Sequence, residues 1–99
     1  MNYFDLFGGG GTNNLVKEYK DKGAVVIDVR TPWEFEEGHV PGSVLIELNR
    51  IPESVERIKA MDKPIILVCR TGARASSAQA YLRRFGIDVI NGGPWQAAL

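Results

Sequence analysis

Residues 64–78 read PIILVCRTGARASSA, and this stretch decides the fold. Its first part, Pro64–Val68, is continuously apolar and rich in β-branched side chains, which is typical of a strand buried on both faces of a parallel sheet. A helix is predicted over Arg74–Phe85, with Gly86 in the position that ends it. A buried strand followed almost at once by a helix predicts part of a β–α unit, the building block of parallel sheets.

The same alternation of strands and helices extends outward from this stretch. Further strands are predicted at residues 24–29, 44–46 and 88–90. Further helices are predicted from a cap at Thr12 or Asn13 to Gly23, over residues 32–37, and from Pro52 with Val55 and Ile58 facing inward. The pattern predicts an α/β fold: a doubly wound, mostly parallel sheet of four to five strands with helices on both faces.

A glycine run near the start of the chain marks a predicted boundary. Gly8–Gly11 lacks the following Lys-Ser/Thr that a phosphate-binding loop requires, so it predicts a flexible joint. We therefore expect a short N-terminal segment, residues 1–11, and one domain over residues 12–99.

Composition narrows the classes of partner and cofactor. Twelve basic and twelve acidic residues cancel, so no global field favours nucleic acid or an anionic membrane, and neither is predicted as a partner. The single cysteine and single histidine cannot supply the four ligands of a structural zinc site, and we predict no metal and no cofactor. A lone cysteine fits a reducing compartment, and residues 1–7 lack the pattern of a signal peptide, so a cytoplasmic location is expected.

Cys69 is the candidate nucleophile. In parallel α/β sheets, ligands bind beyond the carboxyl ends of the strands, and here the free amides of a loop and a helix start can converge on one sulfur. Gly72 permits a positive φ, while Arg70 and Arg74 add positive potential, so a thiolate near neutral pH is expected. The alternative is that Cys69 is a small apolar residue ending a strand, the common situation of lone cysteines.

Two motifs resemble one family. Cys69–Arg74, CRTGAR, is similar to the active-site loop of rhodanese domains, often written C-R-x-G-x-R. The segment from Val26 to Gly42 is similar to that family's D-V-R…E-(F/Y)-x-x-G-H-(I/V)-P-G-A pattern. Two separate motifs in the same order, about 40 residues apart, rarely match by chance. The resemblance extends over Thr12–Gly93.

The resemblance implies a sulfurtransferase. Cys69 would take the outer sulfur of a small anionic donor such as thiosulfate, hold it as a persulfide, and pass it to cyanide, a thiol or a protein acceptor. The substrate-binding residues would be those of the loop: Arg70, Thr71, Gly72, Ala73 and Arg74. His39 would support the site structurally, as the family uses this histidine, with a catalytic pairing with Cys69 as the alternative. Asp28 and Arg30 follow a buried strand, so they are expected to support the site as an ion pair, with contact of Arg30 with the donor anion as the alternative. Such chemistry requires a sulfur that the donor can reach; a sulfur sealed from solvent would contradict the enzyme and leave only the fold.

Two other functions stay open. Cysteine phosphatases use His-Cys-x5-Arg, whereas here Val68 precedes the cysteine and Arg74 follows after only four residues. Rhodanese folds also serve as non-catalytic binding modules, although such modules often lack the cysteine. The sequence leaves undecided whether Trp33 and Trp95 belong to the core or line a pocket, and it assigns Glu34 only to the favourable first turn of a helix.

Overall fold

The computed structural model describes residues 9–99, and a four-stranded parallel sheet forms its centre. The strands are β1 (Val25–Asp28), β2 (Val44–Leu45), β3 (Ile65–Cys69) and β4 (Val89–Pro94), in the spatial order β2-β1-β3-β4. The helices are α1 (Gly9–Asp21), α2 (Pro32–Glu37), α3 (Val55–Met61) and α4 (Ala73–Arg83). Three short 3-10 helices lie at Leu48–Arg50, Pro52–Ser54 and Trp95–Ala98. The predicted α/β class and parallel sheet are confirmed, with four strands.

Alternate residues of β3 feed two separate cores, as the period of two in a strand requires. Ile65, Leu67 and Cys69 pack in one apolar cluster, which includes residues of α3 and α4. Ile66 and Val68 pack in the other, which includes residues of α1 and of the last 3-10 helix. Because both faces of the sheet are covered, every residue of β3 is buried. The prediction of helices on both faces is confirmed.

The strand order reverses between β1 and β3. β2 lies on one side of β1, whereas β3 and β4 follow on the other. In open parallel sheets such a reversal opens a crevice beyond the carboxyl ends of the two strands. Asp28 and Cys69 end these strands, so the topology brings both predicted segments to one edge of the sheet.

Some predicted helix boundaries are found in the structure. Gly23 and Gly86 have φ values of 83° and 76°, and each amide donates to the carbonyl three residues earlier, which ends the helix. Helix α2 spans Pro32–Glu37 as predicted and begins with a capping box, in which Thr31 and Glu34 each accept the other's backbone N–H.

Several boundaries differ from prediction. Helix α3 begins at Val55, while Pro52–Ser54 form a separate 3-10 helix, and α4 spans Ala73–Arg83 instead of Arg74–Phe85. Strands β1, β2 and β3 differ by one residue at one or both ends from their predicted bounds.

Helix α1 begins at Gly9 instead of after a cap at Thr12 or Asn13. Glycine can adopt helical dihedrals at a cost of about 1 kcal/mol per residue, so a glycine run weakens a helix without excluding it. The predicted joint therefore overlaps the helix, while the remainder of the predicted segment, residues 1–8, lies outside the described residues, and the domain boundary stays a prediction.

Strand β4 continues to Pro94, beyond the predicted end at Ile90. Its pairing with β3 becomes irregular between Leu67 and Cys69. At Gly92 the backbone of β4 lies close to the side chain of Ile66 in β3. Only glycine fits there without a shift, because a Cβ would lie 2.7 Å from Cγ2 of Ile66. In residues 9–99, no helix has both the length and the apolar character needed to cross a membrane.

Candidate active site at the carboxyl end of β3

The sulfur of Cys69 caps helix α4. Its Sγ accepts the backbone N–H of Gly72 at 3.0 Å and that of Ala75 at 3.5 Å. The N-cap residue of this helix is Gly72, which has no side chain to accept the amides and has a φ of 105°. Two amides of a helix start thus converge on one sulfur, an arrangement that favours negative charge there. The amide cradle expected from the sequence is present.

Cys69 is nevertheless buried, with only 1% of its surface exposed. This differs from the expectation of a sulfur open to solvent. The pleat of β3 turns the side chain toward α4, where it joins the same apolar cluster as Ala75 and Ala78. Within residues 70–74, the amide of Gly72 faces the sulfur. In this conformation Sγ is closed to a reagent in solution.

Arg74 is held by a carboxylate from a distant part of the chain. Its Nη1 and Nη2 donate to the two oxygens of Glu34 at 2.8 and 3.1 Å. The hydrogen bond from Arg74, followed by that from the Thr31 backbone, lowers the pKa of Glu34 from 4.5 to about 2. The same contact with Glu34 raises the pKa of Arg74 above its ordinary value. In this conformation Arg74 connects the loop to α2, and a direct contact with the donor stays a prediction.

The other loop residues have exposed surfaces. Arg70 and Thr71 are exposed, and Thr71 accepts the N–H of Ala73 through Oγ1 at 3.4 Å. Within residues 9–99, no salt bridge engages Arg70. Arg70 is therefore the arginine of this loop that is available to an anion.

Asp28 and Arg30 form a buried ion pair beside the loop. Their exposed fractions are 0% and 4%. Nε of Arg30 donates to Oδ1 at 2.8 Å and Nη2 to Oδ2 at 2.7 Å, and Nη2 also donates to the Gly38 carbonyl at 2.7 Å. The guanidinium lies 5.1 Å from the centre of the Trp95 ring. This geometry is the ion pair expected from the sequence; its supporting role in activity stays a prediction.

His39 is engaged with α2. Its Nδ1 lies 2.6 Å from the Phe35 carbonyl oxygen, and its ring stacks on the Phe35 ring at 3.7 Å. Both contacts hold the segment that follows the helix. They agree with a structural use of the histidine.

Asn91 contacts the loop and was missed by the sequence analysis. Its Nδ2 donates to the Gly72 carbonyl at 3.0 Å, and its Oδ1 accepts the N–H of Gly93 at 2.8 Å. The Gly72 carbonyl also accepts the N–H of Ser76 at 2.9 Å. These bonds hold Gly72 in the conformation that directs its own amide at Cys69. The available signal was a polar residue near the carboxyl end of a predicted strand.

A cleft of about 440 Å³ adjoins the loop. Its lining residues are Arg30, Trp33, Glu34, Glu37, Gly38, Arg70, Trp95 and Gln96. Both tryptophans line this cleft, and Trp95 also packs against the apolar cluster that contains Ile66 and Val68. Another cleft, of about 390 Å³, lies near the amino end of β4 between Ile58 and Asp88, away from the cysteine.

Comparisons with known proteins show which family this chain resembles. The family model described as the Rhodanese-like domain matches residues 12–94. The thiosulfate sulfurtransferase GlpE of Pseudomonas syringae pv. syringae is 41% identical over 71 residues, which cover 72% of this chain and 66% of that protein. The putative sulfurtransferase YtwF of Bacillus subtilis is 35% identical over 72% of this chain and 68% of its own length. The match thus spans just under two thirds of the Pseudomonas relative.

The solved structures show the same architecture. A rhodanese-like domain protein from Staphylococcus aureus superposes with a TM-score of 0.71 at 29% identity, covering 85% of this chain and 87% of that one. A protein from Staphylococcus saprophyticus gives a TM-score of 0.70 at 27% identity, covering 85% and 89%.

Proposed function

This chain belongs to the rhodanese-like domain family, and we propose that it is a sulfurtransferase that carries sulfur on Cys69 as a persulfide. The observation that carries the proposal is the pair of backbone amides, from Gly72 and Ala75, that donate to Sγ. Two donors at a helix start stabilise an anionic sulfur without a general base. Relatives named as thiosulfate sulfurtransferases support the same activity and suggest thiosulfate as the donor.

The proposed reaction has two balanced steps. The Cys69 thiolate attacks the outer sulfur of thiosulfate, an S–S bond forms to Sγ, and the S–S bond within thiosulfate breaks with release of sulfite. A thiophilic acceptor, cyanide or a thiolate, then attacks that outer sulfur, and the electron pair of the broken bond returns to Sγ. Because the enzyme alternates between two covalent forms, ping-pong kinetics are expected.

The loop residues divide the work in this proposal. Arg70, exposed at the mouth of the loop, steers the anionic donor. Arg74, fixed by Glu34, positions the first turn of α4, while its charge favours the anionic sulfur. The amides of the loop hold the persulfide. The burial of Cys69 requires that residues 70–74 move when the donor enters and when the sulfur leaves.

One observation favours the alternative of a non-catalytic module. Cys69 is as thoroughly buried as the neighbouring core residues, as a purely structural cysteine would be. Against this stands the convergence of two backbone amides on Sγ, which caps α4 and also stabilises negative charge on the sulfur. The predicted lack of nucleic-acid and membrane partners, and the cytoplasmic location, stay predictions.

Steady-state turnover separates these functions. We expect thiocyanate formation from thiosulfate and cyanide by the wild-type chain, with parallel lines in double-reciprocal plots, and none by Cys69→Ser. An aryl phosphate tested beside it should not be hydrolysed. Turnover of the aryl phosphate alone would replace the proposal by a phosphatase, and a folded wild-type chain that turns over neither substrate would leave a binding module.

A further inference from the structure

The cleft beside the Cys69 loop has the position and size of a substrate site. Four segments form its walls: Arg30 after β1, α2 with the residue that follows it, the loop after β3, and the 3-10 helix after β4. Its volume of about 440 Å³ falls within the range of small-molecule sites, roughly 300–1,000 Å³. The loop that covers the sulfur is thus also one wall of the cleft.

Counting only ion pairs among residues 9–99, the charges on these walls leave one free cation and one free anion. Arg30 and Glu34 are already neutralised by the ion pairs described above. Arg70 and Glu37 are exposed, and in the part of the chain that the structure describes neither forms a salt bridge. They come from different walls of the same cleft.

The aromatic residues give the cleft an apolar surface. Trp95 is half-buried, and the Arg30 guanidinium lies over its ring. Trp33, in the first turn of α2, has 63% of its surface exposed. An exposed tryptophan on the wall of a cleft offers a large, rigid surface to the carbon chain of a ligand.

We propose that this cleft binds the sulfur acceptor, and that the acceptor is a small zwitterionic thiol such as cysteine or a cysteinyl peptide. Arg70 binds its carboxylate, Glu37 binds its ammonium group, and Trp33 covers its carbon chain. The site presupposes that Cys69 carries sulfur as proposed above. An acceptor of this class explains why a cleft with no net free charge lies beside a loop suited to anions.

The transfer step needs no further reactant. The acceptor thiol loses its proton to solvent, and its thiolate attacks the outer sulfur of the Cys69 persulfide. A new S–S bond joins the acceptor to that sulfur, while the bond to Sγ breaks and its electron pair remains on Sγ as a thiolate. The product is a small persulfide, and the enzyme is ready for the donor.

Four thiols and three variants test this site. The full chain is loaded with thiosulfate, freed of excess donor, and checked for the persulfide by intact mass. Its discharge rate is then measured with cysteine, cysteamine, 3-mercaptopropionate and 2-mercaptoethanol, which carry both charged groups, the amine only, the carboxylate only, and neither. Each variant is compared with wild type for the same thiol, so differences in thiol reactivity cancel. Glu37→Gln and Arg70→Gln remove one charge each, and Glu36→Gln is the control on the same helix.

The expected pattern is selective. Glu37→Gln should slow discharge by the two amino thiols about 3- to 5-fold, relative to 2-mercaptoethanol, as expected for exposed ion pairs. Arg70→Gln should slow discharge by the two carboxylates by a similar factor, and cysteine alone should respond to both changes. Glu36→Gln, which is exposed and does not line the cleft, should behave as wild type with every thiol.

Two results would overturn the site while leaving the proposed function intact. One is discharge that depends only on thiolate concentration, with the same rates in all variants. The other is a persulfide that only a protein thiol can discharge, which would make this face a protein-docking surface. If thiosulfate leaves no sulfur on the wild-type chain, the proposed function itself fails and the acceptor site fails with it.

Discussion

Replacing Glu34 by glutamine isolates the charge that ties the active-site loop to α2. Glutamine keeps an oxygen that can accept from the Thr31 backbone, so the capping contact survives while the ionic contact with Arg74 is lost. A pKa lowered from 4.5 to about 2 corresponds to a ceiling of roughly 3 kcal/mol in the free energy of unfolding. Because 34% of the Arg74 side chain is exposed, solvent screens the pair, and we expect a loss of about 1–2 kcal/mol at pH 7.

The same ion pair also makes the free energy of unfolding depend on pH in a predictable direction. The folded-state pKa of Glu34 is depressed, so its contribution is complete above about pH 4.5 and is lost as the pH falls through about 2. The wild-type chain should therefore lose stability over this window more steeply than Glu34→Gln, and the two free energies should converge near its lower end.

Urea unfolding followed by circular dichroism measures both effects. The control is Glu53→Gln, which breaks the ion pair between Glu53 and Arg50. Both of these side chains are 62% exposed, so solvent screens the pair and the stability should stay close to that of the wild-type chain. A loss in Glu34→Gln no larger than in this control would refute the reasoning. The reasoning would also be refuted if the free energy of unfolding fell with the same slope in wild type and Glu34→Gln between pH 4.5 and 2.

Two further substitutions test the contacts around the loop. Gly92→Ala places a Cβ 2.7 Å from Cγ2 of Ile66, so thermal unfolding should show a loss of about 1–3 kcal/mol; an unchanged stability would contradict the packing argument. Asn91→Asp replaces the donor to the Gly72 carbonyl by a carboxylate, so thiosulfate turnover should fall about tenfold or more while the fold persists, given the usual cost of a lost charged or buried hydrogen bond; unchanged turnover would remove Asn91 from the positioning of the loop.

The fold could be predicted from local patterns. The run Pro64–Val68 is continuously apolar and rich in β-branched residues. In a chain where strands alternate with helices, such a run has few alternatives to a central parallel strand. The glycines at 23 and 86 end helices because only a residue tolerant of positive φ fits there. In both cases the deciding interactions lie within a few residues.

The contacts that organise the site could not be predicted in this way. Glu34 and Arg74 are 40 residues apart, and Asn91 reaches Gly72 only because β4 lies beside β3 beyond an irregular pairing. The burial of Cys69 depends on which face of β3 receives α4, a property of tertiary packing. The motif located the candidate nucleophile, Cys69. The residues that bury it and contact its loop come from segments distant in sequence.

On the proposal above, Sγ of Cys69, which accepts two backbone amides, takes up a second sulfur atom as a persulfide. Intact-mass analysis of the chain after thiosulfate treatment tests this uptake most directly. The wild-type chain should gain about 32 Da, one sulfur atom, with release of one equivalent of sulfite, and the gain should vanish on addition of cyanide and be absent in Cys69→Ser. A folded wild-type chain that gains no mass, or an equal gain in Cys69→Ser, would contradict the account.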